Sequence, residues 1–154
     1  MDNGVKNAPT SHDPGMSFED LPRDWASKPL WDNNLADVVD LLFSLDDRLN
    51  NGLLFLTSHS DGIPIRAPFM GEDMNWRNHD FVDRLDVMAD EISNHASHIL
   101  VAFGHSEPGV TSNDLAWRKR LEALFGRHGL TAIGFFAADP HGVHPVPNAP
   151  ALVE

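Results

Sequence analysis

His98-Ile99-Leu100-Val101-Ala102-Phe103, followed by Gly104-His105-Ser106-Glu107-Pro108-Gly109-Val110-Thr111-Ser112-Asn113-Asp114, is the stretch that decides the fold. The unbroken apolar run from Ile99 to Phe103 is short, as a buried central strand should be. Beyond the polar loop, Leu115, Trp117, Leu121, Leu124 and Phe125 form the apolar side of a helix from about Asp114 to His128. Gly129 stands where such a helix ends. Thr131 to Ala137 then reads as another strand, and Asp139-Pro140-His141-Gly142 as the turn into a last short strand, Val143 to Val146.

Working back from His98, a helix is predicted from His79 to Asn94, with Phe81, Val82, Leu85, Met88, Ala89 and Ile92 as its buried stripe. Two strands, Leu53 to Thr57 and Ile63 to Ala67, flank Ser60-Asp61-Gly62, and an Asp-Gly pair between apolar runs signals a hairpin. Pro64 lacks a ladder donor, which puts the second strand at a sheet edge. Leu35, Val38, Val39, Leu42, Phe43, Leu45 and Leu49 repeat at helical spacing before Asn50-Asn51-Gly52 stops the helix. The order is α-β-β-α-β-α-β-β, an α/β (α+β) domain with a mixed β-sheet flanked by helices.

The expected organisation is a flexible N-terminal arm over 1–33, a single domain over 34–146 and a disordered tail over 147–154. Within the arm, Phe18, Leu21, Trp25, Leu30 and Trp31 sit among Asp and Pro; they either pack on their own domain or dock on a second subunit. Trp25, Trp31 and Trp76 are the interface candidates.

Composition narrows the function classes. The 154 residues carry a net charge of −12 and no cysteine, which excludes a disulfide scaffold, a thiolate metal site and a cysteine nucleophile. Arg118-Lys119-Arg120 is the one basic cluster, too little for a counterion-displacing nucleic-acid surface, so no nucleic acid is expected. There is no secretory h-region and no apolar run near the ~20 residues of a membrane span. A cytoplasmic protein without membrane contact is expected.

The loop after the central strand concentrates the chemistry: His105, Glu107, Thr111, Ser112 and Asp114 supply an imidazole, two carboxylates and two hydroxyls beside a helix N-terminus. Capping by Thr111, Ser112 or Asn113 is the structural use of the same residues. No Gly-x-Gly-x-x-Gly, Walker or Gly-x-Ser-x-Gly motif accompanies them.

The element order and this loop together resemble the JAMM/MPN metalloprotease-type domains, in particular their RadC-like branch. Phe103-Gly104-His105 falls where that family has His-x-His, Pro108-Gly109 resembles its turn, and Thr111-x-x-Asp114 resembles its Ser-x-x-Asp. Asp114-Leu115-Ala116-Trp117 and Asp139-Pro140-His141-Gly142-Val143 are also similar to stretches of small bacterial proteins of unassigned function. The resemblance implies a zinc site with two His ligands, one Asp and a water, and a Glu as general acid/base. Here only His105 and Asp114 match, because Phe103 replaces the first His; His59 or Glu72 would have to complete the set.

The resemblance therefore implies a non-catalytic RadC/JAMM-like domain that works through protein–protein contact or self-association, with no cofactor. The alternatives are a zinc-dependent, isopeptidase-like hydrolase with a rearranged site on His105 and Asp114, and a small-anion or nucleotide binder at the N-terminus of the 114–128 helix.

Overall fold

The computed structural model describes residues 21–65 and 68–148. Its elements are α1 (Leu35–Leu42), α2 (Leu45–Leu49), β1 (Leu53–Ser58), β2 (Phe69–Gly71), α3 (Asp86–Ser93), β3 (His98–Gly104), α4 (Ser112–Arg127), β4 (Thr131–Asp139) and β5 (Gly142–Pro145), with 3-10 turns at Trp25–Ser27, Leu30–Asp32 and His79–Leu85. The expected mixed α and β class holds. The five strands form one sheet in the order β2-β1-β3-β4-β5. The pair β3–β4 is parallel, bridged by α4, and the other three pairs are antiparallel.

The pleat splits the core into two layers. Successive strand side chains alternate in direction, so Leu53, Phe55, Ile99, Val101 and Phe103 join Val82, Ala89, Trp117, Leu121 and Phe125 beneath α3 and α4. Leu54, Leu56, Leu100 and Ala102 face the other way, onto Val38, Val39 and Phe43. Central β3 is buried from Ile99 to Gly104, as an unbroken apolar run on a two-sided sheet requires.

Three local readings need correction. The helix expected to run unbroken from Asn34 to Leu49 is two helices. Phe43 is extended (φ −113°, ψ 94°), and the Ser44 hydroxyl restarts the helix by accepting the Asp47 N–H at 3.1 Å. The break rotates the second half: Leu45 and Leu49 turn outward while Arg48 turns inward, 3% exposed. The hairpin turn forms, with Gly62 at φ 87° and the His59 N–H bonded to the Ile63 carbonyl at 3.1 Å. Ile65 also donates its N–H to the Thr57 carbonyl at 2.8 Å, but the paired strand is Phe69–Gly71, opposite Leu53 to Phe55. Pro64 makes an isolated bridge to Ser58, and the edge strand is β2. The helix expected over 79–94 begins as the 3-10 turn His79–Leu85 before α3.

The folded body also begins earlier than Asn34. Leu30 is completely buried, and its N–H bonds the Gly62 carbonyl at 2.8 Å. Leu21 and Trp25 pack on the α1 side of the sheet. The boundary expected at residue 33/34 thus falls inside the packed structure, because apolar residues of the arm cover the sheet face that α1 leaves open. Phe18 and the rest of 1–20, residues 66–67 of the expected second strand, and 149–154 of the expected tail lie outside the described residues.

Candidate functional site: the loop between β3 and α4

The chain leaves the carboxyl end of β3 at Gly104 and passes directly into His105, which is 2% exposed. Its Nδ1 lies 2.9 Å from the Glu107 carbonyl and its Nε2 2.8 Å from Asp114 Oδ2. A carbonyl and a carboxylate both accept, so both ring nitrogens donate and the imidazolium is the form that fits. Burial opposes that charge. The hydrogen bond and charge of Asp114, with those of Glu107, outweigh it and hold the His105 pKa above its ordinary 6.5.

Asp114 is itself 1% exposed and serves two roles. Its Oδ2 also accepts the Thr111 N–H at 2.8 Å, while the Thr111 hydroxyl accepts the Asp114 N–H at 3.2 Å. This reciprocal capping box starts α4. The Thr111–Asp114 spacing of the sequence is thus accounted for by helix initiation, and His105 is held by the cap. Ser112, Glu107 and Ser106 are exposed at the loop surface.

A second buried carboxylate braces the loop from below. Asp139, 1% exposed at the end of β4, accepts the N–H of Gly109 at 2.5 Å, of His141 at 2.7 Å and of Gly142 at 3.0 Å, and His144 Nε2 at 2.9 Å. Burial works to raise its pKa, but the Gly109 and His141 amides and the His144 imidazole hold it below its ordinary 3.8. Gly109 reaches that carboxylate at φ 73°, a conformation that favours glycine. The Asp139 carbonyl also accepts from Arg48 Nη1 at 3.1 Å. Arg48 Nη2 meets Asp40 Oδ1 at 2.7 Å, and Nε donates to the Phe43 carbonyl at 2.9 Å.

Beside the loop lies a cleft of about 230 Å³, lined in part by His105, Glu107, Thr111, Asn113, Asn75 and Arg77. Asn113 on its wall is fixed by His79, whose Nε2 donates to Asn113 Oδ1 at 2.9 Å. Trp76 also lines it.

The zinc set that the resemblance implies does not fit this arrangement. Both nitrogens of His105 are occupied, and Asp114 Oδ2 already holds two N–H donors. Phe103 is fully buried, with ring centroids 5.4 Å from Trp76 and 6.3 Å from Trp117. His59 sits at the opposite end of the sheet, since Ser58 pairs with His98; seven strand residues place it about 20 Å from His105. Glu72 follows β2, two strands out from β3, about 10 Å across the sheet. Among the described residues, no group of three or more His, Cys, Asp or Glu side chains is placed to hold a metal ion.

The interface candidates separate. Trp76 is not a surface residue: it is 8% exposed, its indole donates to the Gly104 carbonyl at 2.8 Å, and it meets Trp117 edge to face at 4.9 Å. A loop tryptophan between polar neighbours reads as exposed in sequence, but its N–H finds a partner inside. Trp25 is half-buried on its own domain. Trp31 is 48% exposed and covers Gly62, where an added Cβ would come within 2.5 Å of the indole.

Sequence reasoning missed Asp139, Arg48 and Asp40. Asp139 had a signal: an Asp opening a turn accepts the amides two and three residues on. The inward turn of Arg48 had none, because its position follows from the break at Phe43. No family model, curated protein or solved structure matches the chain. The helices present are also not long and apolar enough to cross a membrane, among the described residues.

Proposed function

We propose that this chain is a non-catalytic binding domain of RadC/JAMM-like kind that acts through protein–protein contact. The observation that carries the reading is the double engagement of His105. A general base needs a free lone pair and a metal ligand needs one too; here Glu107 and Asp114 take both ring nitrogens. Of the loop residues that look chemical in sequence, Thr111 and Asp114 cap α4 and His105 braces the loop. Support for contact comes from large apolar side chains left outside: Trp31, Leu45 and Leu49 are about half exposed.

Metal analysis of the purified full chain, together with hydrolysis of an isopeptide-linked substrate, tests this. The expected result is substoichiometric zinc and no turnover, both unchanged in His105→Ala. Stoichiometric zinc that disappears in His105→Ala overturns the reading in favour of a hydrolase.

A further inference from the structure

The break at Phe43 leaves an apolar face on the outside of the α1–α2 segment. Leu41, Leu45 and Leu49 are 41%, 53% and 49% exposed, four residues apart in sequence. Leu45 and Leu49 share one face of α2, as i, i+4 neighbours do. The inner side is closed by Val38, Val39 and Phe43, all fully buried.

On the α1–α2 segment itself the exposed charge has one sign. From Pro29 to Ile65 the only Lys or Arg is Arg48, and it is 3% exposed and turned toward Asp40. Asp46 is exposed and Asp47 half-buried on α2 itself. Exposed Glu72 and Asp73 are tied to the end of the same helix, where the Asp73 N–H bonds the Asn50 carbonyl at 2.9 Å and the Met74 N–H the Asn51 carbonyl at 3.1 Å.

We propose that this face docks a cationic amphipathic helix of a partner protein, its apolar stripe on Leu45 and Leu49 and its Lys/Arg side chains against Asp46, Asp47, Glu72 and Asp73. The proposal rests on the reading of the chain as a contact domain and names the chemistry of the partner. Packing of the two helices' apolar faces supplies the contact, and opposite charge supplies register and encounter rate. A second copy is a poorer occupant, since a two-fold contact lays the same acidic rim against itself. The chain's own ends do not complement the rim either. Residues 1–20 contain Lys6 against Asp2, Asp13, Glu19 and Asp20, and residues 149–154 contain Glu154 and no base. An anionic lipid surface is repelled by the same carboxylates.

The test titrates the isotope-labelled full chain with a synthetic Leu/Lys peptide of about 18 residues, leucines at i, i+3, i+4 and i+7. A peptide of the same composition in scrambled order is the control. Amide shift changes should gather over residues 37–50 and 72–73, and the peptide should gain helical circular dichroism. Leu45→Ser/Leu49→Ser should weaken binding at least about tenfold with an unchanged melting temperature, and Asp46→Lys/Glu72→Lys should remove most of the salt dependence. Equal binding of the scrambled peptide, shift changes over the acidic face at 80–91 instead, or unaltered affinity in the leucine variant would each overturn the proposal. So would a homodimer, seen by sedimentation, that the leucine variant dissociates. None of these results alters zinc content or turnover, so failure here is separate from failure of the non-catalytic reading.

Discussion

His105 Nε2 lies 2.8 Å from Asp114 Oδ2, and both side chains are almost wholly buried. The contact spans nine residues and ties the first residue of the loop to the first turn of the helix after it. Because the Glu107 carbonyl holds the other ring nitrogen, the imidazole crosslinks the loop through two bonds and has no nitrogen left for substrate.

The charge of that imidazole gives the fold a pH dependence. The folded-state pKa is raised, so the stability from His105 is complete below its ordinary 6.5 and is lost as pH rises through the folded value. Melting temperature by scanning calorimetry should therefore fall as pH rises above 6.5. His105→Gln should flatten that fall; an identical slope in wild type and variant would place the titration elsewhere.

Asp139 titrates in the opposite sense. Its pKa is depressed, so its contribution is complete above its ordinary 3.8 and is lost as pH falls through the lower folded value. Asp139→Asn should cost about 3 kcal/mol at neutral pH in urea unfolding, since charge-assisted bonds to buried amides are lost together. A cost under about 1 kcal/mol would mean that the loop braces itself without the carboxylate.

Thr111→Ala should destabilise the protein by about 1 kcal/mol, the usual worth of an N-cap side chain. Thr111→Ser should restore most of it, because the hydroxyl that accepts the Asp114 N–H is kept. Equilibrium unfolding of the pair checks both values. If the serine variant is as weak as the alanine variant, the methyl group and not the cap matters.

Gly104→Ala tests how closely β3 approaches α2. A Cβ there would lie 2.7 Å from Phe43 Cζ and 2.9 Å from Arg48 Cα. Backbone cannot yield as a side-chain tip can, so the expected cost is about 2 kcal/mol. The urea midpoint should drop with the slope preserved; a neutral substitution would show that α2 moves freely on the sheet.

Much of the fold was legible because it rests on short-range patterns. The Ile99 to Phe103 run, the apolar spacing along α4, Gly129 (φ 77°) and the Asp139 turn each carry their own signal. The candidate loop was legible as a location. Its use was not, since His105 and Asp114 present the same letters whether they face a metal or each other. The β1–β2 segment misled because Ile63 to Ala67 has strand composition, while Pro64 cannot donate to the ladder and pairing moves on to Phe69.

The sequence by itself determined the α and β class, the order of elements apart from the break in the first helix, the burial of β3 and a cap on α4 from among Thr111, Ser112 and Asn113, all governed by periodicity and by side chains a few residues apart. Only the tertiary structure decided that Trp76 is core, that Arg48 points inward, that Leu45 and Leu49 point outward, and that His105 has no nitrogen to spare. Those outcomes depend on partners distant in sequence: Gly104 for Trp76, and Asp139 for Arg48 and for the Gly109 amide. Periodicity records which residues favour burial; which neighbour satisfies each buried polar atom is settled only when the elements pack.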